Sequence, residues 1–482
     1  MAKLHILPRG VELNVAAGTN LLDALRVAGL APAAPCGGNG TCGKCRVTAE
    51  GKEVLACRTA VHVDMTVTVP ETAESDVLKS GVKSSGGSHR LAIDIGTTSV
   101  VCFLLDGATG AELARSSMHN PQAVFGADVI SRIRAALDGE METLTGLIRE
   151  GVTMLIRQVC TAAEVSPDSI GMVSVVGNPA MQQLFLGISP ENLAGVPFAP
   201  VLTEAKTVPC GEVLPICPHA MLLVVPDISG YIGADTVGCV LSTELYKKDE
   251  MTLLVDIGTN GEMVLGTKDR MIACATAAGP ALESANIQCG MRAEAGAIGR
   301  VWLEDGAVKC AVIGGGEAKG ICGSGLIDAI AAGLDMGLLN RRGRIRNPEH
   351  IFHLTEKVYL TQEDIRQVQM AKGAIHAGIQ LMARQMGIQL TDIKKVLLAG
   401  AFGSNLDPRS AGRMGLLPEE LVDRIEAVGN AAGDGAKRLA RDEKLLPMTR
   451  QLCDKIEFLE LASLPDFPRT FAKAMNFREG IQ

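Results

Sequence analysis

Of the fourteen cysteines in this 482-residue chain, four lie within 36–57 and ten are scattered. Cys36, Cys42, Cys45 and Cys57 have the spacing C-x5-C-x2-C-x11-C, and the first three sit in the run CGGNGTCGKC. Thiolates that converge on one point can hold an iron–sulfur cluster, and a Gly-rich loop lets three of them come from adjacent turns while backbone N–H groups point at the sulfides. Gly37, Gly38, Gly40 and Gly43 suit such a loop because they accept positive φ and close approach. Four cysteines also suit tetrahedral zinc, but zinc sites usually show two separated C-x2-C knuckles, and this chain has one. The spacing favours a plant-type [2Fe–2S] site, with one extra residue between the first two cysteines.

A second chemistry is written twice. Leu91-Ala-Ile-Asp94-Ile-Gly96-Thr97-Thr98 runs from an apolar stretch through a carboxylate into a tight turn. Leu253-Leu-Val-Asp256-Ile-Gly258-Thr259-Asn260-Gly261-Glu262 repeats it, the two aspartates lying 162 positions apart. The N–H groups of such turns can meet phosphate oxygens. Thr97, Thr98, Thr259 and Asn260 add side-chain donors, and Asp94 and Asp256 are suited to hold Mg²⁺ directly or through water. Phosphoryl chemistry asks mainly for such positioning and charge neutralisation. A single Asp–Gly turn is common in any hairpin; two on matched strands predict two similar lobes around one nucleotide. Between them, a Gly-rich stretch from Pro226 ends at Asp235, a candidate for the magnesium or the attacking water; a helix cap is the plainer reading.

These groups need elements to hold them. Leu4 and Ile6, then Val11, Leu13 and Val15, alternate as in a hairpin. Thr19 is placed to cap a short helix carrying Leu21, Leu22 and Leu25, which stops at Gly29. Strands are expected over 46–49 and 65–69. Residues 71–89 are polar, rich in Ser, Gly and Lys, and read as a flexible linker, the other reading being an ordered connector on the surface. Strands follow each DxGT turn, at 100–105 and 263–265; helices are expected over 326–339 and 364–386. The glycines before the first of these helices either face a nucleotide or let helix and strand pack tightly. Two apparent motifs in the cysteine loop are by-products of its glycines. Gly38 to Gly43 satisfies GxGxxG but opens no helix after a strand, and Gly38 to Lys44 reads GxxxxGK but continues into Cys45 where a P-loop needs Ser or Thr.

Apolar residues make up 47% of the chain, enough for a large interior, and aromatics only 3%, so that interior is aliphatic. The length predicts two or three folding units. A net charge of −8 without long Lys or Arg blocks argues against nucleic acid as the main partner. Neither a signal peptide nor an apolar run long enough for a membrane span is evident, so a cytoplasmic protein without disulfides is expected, its scattered cysteines buried as free thiols.

Residues 1–70 resemble the [2Fe–2S] ferredoxin fold, and the CGGxGxCGKC form resembles that of the reductive activators of corrinoid proteins. The run Val396-Leu-Leu-Ala-Gly400-Ala-Phe-Gly403-Ser404-Asn405 is similar to the adenosine motif of the actin, Hsp70 and sugar-kinase superfamily, which implies that Gly400, Gly403 and Ser404 lie against adenosine. The implied fold is multidomain: an α+β ferredoxin-like (β-grasp) domain over 1–70, a linker over 71–89, and an α/β ATPase of duplicated actin-like (RNase H-like) lobes over 90–482, dividing at about 250/251. The implied function is ATP-dependent reduction of a corrinoid protein or corrinoid-dependent methyltransferase from Co(II) to Co(I). It would use a [2Fe–2S] cluster, ATP and Mg²⁺, with a ferredoxin- or flavodoxin-type donor and room for a homodimer. Asp94, Asp256 and Asp235 would serve catalysis, and Gly96, Gly258 and Gly261 would join the phosphate contacts. The alternatives are an ATP-driven donor to a non-corrinoid enzyme and a sensor of nucleotide and redox state.

Overall fold

The computed structural model describes residues 1–478 except 33, 35–37, 39, 41, 42, 44, 71–75, 81, 83, 84 and 401–405. Cys36, Cys42, Gly403 and Ser404 lie outside the described residues. The chain forms two compact units, one of residues 1–175, 180–199 and 207–223, the other of 176–179, 200–206 and 224–482.

The first unit begins with a small sheet that holds one helix. Strands Ala2–Leu7 and Val11–Val15 pair antiparallel, Met65–Thr68 lies parallel to the first, and Arg46–Ala49 and Lys52–Leu55 complete five strands. Alternation decides what is buried: Leu4 and Ile6 are fully buried, while Lys3 is exposed. Helix Leu21–Val27 lays Leu21, Leu22 and Leu25 into the same core. Asn20, one residue beyond the expected Thr19, caps it by accepting from the Leu22 N–H at 3.0 Å.

The rest of this unit is built on a seven-stranded sheet. Its centre is an antiparallel meander, His89–Ile95, Ser99–Asp106 and Glu112–His119, flanked on the inner side by Ile170–Gly177. Asp76–Lys79 forms its outer edge, antiparallel to Glu112–His119. This stretch falls inside the segment expected to be a flexible linker, and it is strapped down further. Ser80 Oγ donates to Leu113 O, and Ser85 donates to Asp106 through its N–H at 2.7 Å and its hydroxyl at 2.9 Å. An edge strand needs only backbone donors and acceptors, which a polar sequence has in full; the apolar content that reading relied on is not what joins a strand to an edge.

The second unit repeats the plan. Thr252–Ile257, Gly261–Gly266 and Met271–Thr276 form an antiparallel meander, with Lys395–Ala399 parallel to the first of them. In each unit the strand bearing the DxGT aspartate therefore lies between its hairpin partner and a strand brought back from later in the chain. The repeat seen in the sequence is a repeat of topology. Helix Gln362–Met386 covers the second meander with Ile365, Val368, Ile375, Ile379 and Met382 fully buried. Helix Ala234–Ser242 precedes the expected lobe division at 250/251 yet belongs to this unit, where Ser242 Oγ donates to Ala431 O at 2.7 Å and Arg438 reaches Leu241 O. Among the described residues no helix is long and apolar enough to cross a membrane.

Candidate functional site

The first DxGT turn spans residues 96–99, between the paired residues Ile95 and Val100. It closes by the Gly96 N–H donating to Ser99 O at 2.9 Å, and a side chain at Gly96 would stand 2.8 Å from that same oxygen. Two residues that the sequence did not single out hold the turn from beneath. Asn120, fully buried, donates from Nδ2 to Gly96 O at 2.8 Å and from its backbone N–H to Thr98 O at 2.9 Å. Arg132, also fully buried, donates to Thr97 O at 2.6 Å, to Gly126 O at 3.1 Å and to Met181 Sδ at 3.3 Å. Burial pulls its pKa down to about 9, with Asp128 opposing the shift, so it stays charged at neutral pH beneath the turn. Asp94 sits at the end of His89–Ile95, next to this turn.

The second turn is shorter by one residue: Ile257 pairs with Gly261, and the Gly258 N–H donates to Asn260 O at 3.0 Å. Thr259 is buried and donates to Glu283 Oε2 at 2.7 Å. Gly261 begins the next strand, where a side chain would meet Thr276 Oγ1 at 2.8 Å and Ile375 at 3.0 Å, so close packing requires glycine there. Asp256 is the cross-strand partner of Glu262, which places two carboxylates opposite one another on one hairpin. Asp235 lies in the first turn of Ala234–Ser242, and its carboxylate accepts from the Thr236 N–H at 2.7 Å; the residue at the cap position is Gly233. Cys239 of the same helix donates Sγ–H to Asp256 Oδ2 at 3.5 Å.

Burial raises the pKa of all three acids. Asp235 rises to about 7, burial first and the Asp256 charge adding to it. Asp256 rises to about 6, through burial and then Glu283 against the Cys239 hydrogen bond. Glu262 rises well above the usual carboxylate range, through burial and then the charges of Asp235 and Asp256. Such a group of like charges is held at a cost unless a cation or a proton neutralises it. Among the described residues no three His, Cys, Asp or Glu side chains are gathered so as to ligate a metal ion by themselves. Gly400, at φ +95°, closes the site from the neighbouring strand: a side chain there would stand 2.8 Å from Ile257 O and 3.0 Å from Asp256 Oδ1. The glycine-rich entry to helix Gly323–Asp335 has a packing role instead, since a side chain at Gly325 would collide with Ile298 O, and Ser324 Oγ donates to Gly299 O.

In the small domain, Cys45 is buried and Cys57 half-buried. Their segments are tied together by the Ala56 N–H donating to Cys45 O at 2.8 Å, and Asn20 Nδ2 donates to Cys57 O at 2.9 Å. The loop uses glycine where only glycine fits. Gly38 has φ +98° with Leu22 at 3.2 Å from the place of a side chain, and Gly40 has φ +76° with the Arg58 guanidinium against it. Thiol donors beside glycines held at positive φ fit a thiolate-held cluster. The fitted residues the sequence missed are Glu262, Glu283, Cys239, Asn120 and Arg132; only Glu262 carried a signal, as the end of the second DxGT run.

Comparison with known proteins matches three regions of the chain. Residues 4–62 match the family described as the 2Fe-2S iron-sulfur cluster binding domain, 89–248 the RACo middle region, and 250–481 the C-terminal domain of RACo, the ASKHA domain. The corrinoid activation enzyme RamQ of Eubacterium limosum is 34% identical over 422 residues, which cover 82% of this chain and 71% of that protein. The [Co(II) methylated amine-specific corrinoid protein] reductase of Methanosarcina barkeri is 28% identical over 402 residues, 76% of this chain and 73% of its own length. A solved reductive activator for corrinoid, iron-sulfur protein superposes with a TM-score of 0.76 at 29% identity, covering 99% of this chain and 98% of that one.

Proposed function

Because the chain belongs to the family of corrinoid-protein activators that join a 2Fe-2S domain to an ASKHA domain, we propose that it uses ATP to reduce a corrinoid protein from Co(II) to Co(I). The observation that carries this reading is the presence, in one chain, of a four-cysteine glycine loop and two topologically equivalent DxGT hairpins. A [2Fe–2S] cluster held by this loop would supply single electrons, drawn from an external ferredoxin- or flavodoxin-type donor.

Cys36, Cys42, Cys45 and Cys57 hold the cluster. The 96–98 and 258–260 turns each contact nucleotide phosphate, and Gly400, Gly403 and Ser404 receive adenosine. Asp94 and Asp256 would hold Mg²⁺, directly or through water, as suits an ion that usually binds one or two carboxylates plus phosphate. Asp235, with its raised pKa, orients the attacking water. Asp256, Glu262 and Asp235 repel one another, a cost that Mg²⁺ held there would offset. ATP helps an uphill electron transfer only through its different affinity for the states before and after transfer.

The test is anaerobic absorption spectroscopy of a Co(II)-loaded corrinoid protein mixed with reduced activator, with and without Mg-ATP. Loss of the Co(II) band and growth of Co(I) only with ATP is the expected result. An unchanged Co(II) band across several corrinoid partners, with the cluster spectrum intact, overturns the assignment of the acceptor.

A further inference from the structure

Arg26 lies in the last turn of helix Leu21–Val27, yet its side chain is only 15% exposed. It is covered from outside its own domain. Nε donates to Val124 O at 3.0 Å, Nη2 donates to the same oxygen, and the guanidinium lies 5.0 Å from the centre of the Phe125 ring. Nη1 donates to Asp23 Oδ1 at 2.9 Å, which fixes the fork. A planar guanidinium that is hydrogen-bonded along its edges and stacked on its face has little freedom left.

Each end of this contact leads to one of the two sites. On the small-domain side, the position of a Gly38 side chain is 3.7 Å from Arg26 Nη2 and 3.9 Å from Cys57 Cβ, so the guanidinium stands beside the cluster loop. On the other side, Val124 and Phe125 close the single helical turn Pro121–Phe125, which Asn120 caps by accepting from the Gln122 N–H at 3.0 Å. Asn120 is the residue that grips Gly96 O and Thr98 O. Hydrogen bonds and one helical turn thus join the first DxGT turn to Arg26, which stands beside Gly38 of the cluster loop.

We infer that Arg26 is a positioning residue that couples occupancy of the 96–98 turn to the placement of the cluster loop. This rests on the reading of that turn as a phosphate site. Phosphate drawn onto the N–H groups of the turn moves the carbonyls that Asn120 holds, and the 121–125 turn carries that movement to the oxygen that Arg26 grips. Coupling through such a chain requires an element with two arrangements, and Pro121–Phe125, which lies between Asn120 and the oxygen that Arg26 holds, would have to be that element.

The test uses the full chain with its cluster reconstituted. Hydrogen exchange is followed at Leu21–Val27 and at 121–125, with and without Mg-AMP-PNP, and nucleotide binding is measured separately by calorimetry. In the unaltered protein, nucleotide is expected to change exchange at both segments together, by about fivefold or more. In Arg26→Ala the cluster spectrum and nucleotide affinity stay as they were, while Leu21–Val27 exchanges faster and no longer responds to nucleotide. Arg26→Lys, which keeps the charge but loses the fork, restores part of the response. Phe125→Leu leaves the small domain's sequence intact and is expected to weaken the same response, so the idea stays testable if Arg26→Ala misfolds. A response in Arg26→Ala equal to that of the unaltered protein overturns the inference. So does nucleotide binding in the unaltered protein with no change at Leu21–Val27, which leaves the functional reading standing. Absence of nucleotide binding overturns the functional reading and the coupling together.

Discussion

Asp256 is the residue on which most of the second site converges. It faces Glu262 across the hairpin, accepts from Cys239, and has Gly400 against its carboxylate. Its folded pKa lies near 6 and that of Asp235 near 7, both above the usual carboxylate value. A carboxylate whose pKa is raised by folding binds its proton more tightly in the native state, so its stability contribution is full below about pH 4 and is lost as pH rises through 6 to 7. In the metal-free protein, urea unfolding of the second unit is expected to show falling stability over that window and a plateau above it. Asp256→Asn should raise metal-free stability at pH 8 by about 2 kcal/mol, while lowering ATP turnover about 100-fold or more. A stability at pH 8 that is unchanged or lower in Asp256→Asn would show that the site is not charge-strained. Gly400→Ala is expected to cost about 1–3 kcal/mol, because φ +95° is unfavourable for alanine and its Cβ meets Ile257 O and Asp256. Calorimetry should show weaker nucleotide binding, with the visible spectrum of the cluster unaltered.

At the scale of elements, the two hairpins solve one problem in different ways. The second turn rests on the neighbouring strand and on Gly400; the first rests on Asn120 and the buried guanidinium of Arg132. Arg132→Met is close in length and apolar, so it fills the space but leaves Thr97 O and Gly126 O without their donor. The expected cost is about 2–4 kcal/mol for two buried carbonyls, read in thermal unfolding, with a raised KM for ATP. A helix cap provides the contrast. Thr361 and Asp364 form a capping box at the start of Gln362–Met386, and Thr361→Ala should cost about 1 kcal/mol without changing KM. The edge strand Asp76–Lys79 shows how an element escapes notice when its stability comes from a partner's open edge and its two apolar side chains, Val77 and Leu78, stay exposed.

At the scale of the whole molecule, the cores are separate: one is drawn from residues 2–69 and another from 253–477. Thermal unfolding followed by calorimetry is therefore expected to resolve more than one transition. Reconstituting the cluster should raise the transition of the small domain, and Mg-ATP those of the parts that carry the DxGT turns, each by mass action on the part that binds. A single transition moved equally by both ligands would count against independent cores. The cysteine spacing, the doubled DxGT and the alternation of Leu4 and Ile6 were legible in the chain because ligand loops, tight turns and strand faces are set by residues a few positions apart. The grip of Arg26 on Val124, 98 positions away, was not, nor was that of Arg132 on Thr97, 35 away. Cys239 meets Asp256 only because helix Ala234–Ser242 packs where it does. Local chemistry is carried by spacing along the chain; which distant side chain steadies it follows from how the elements pack, and no spacing records that.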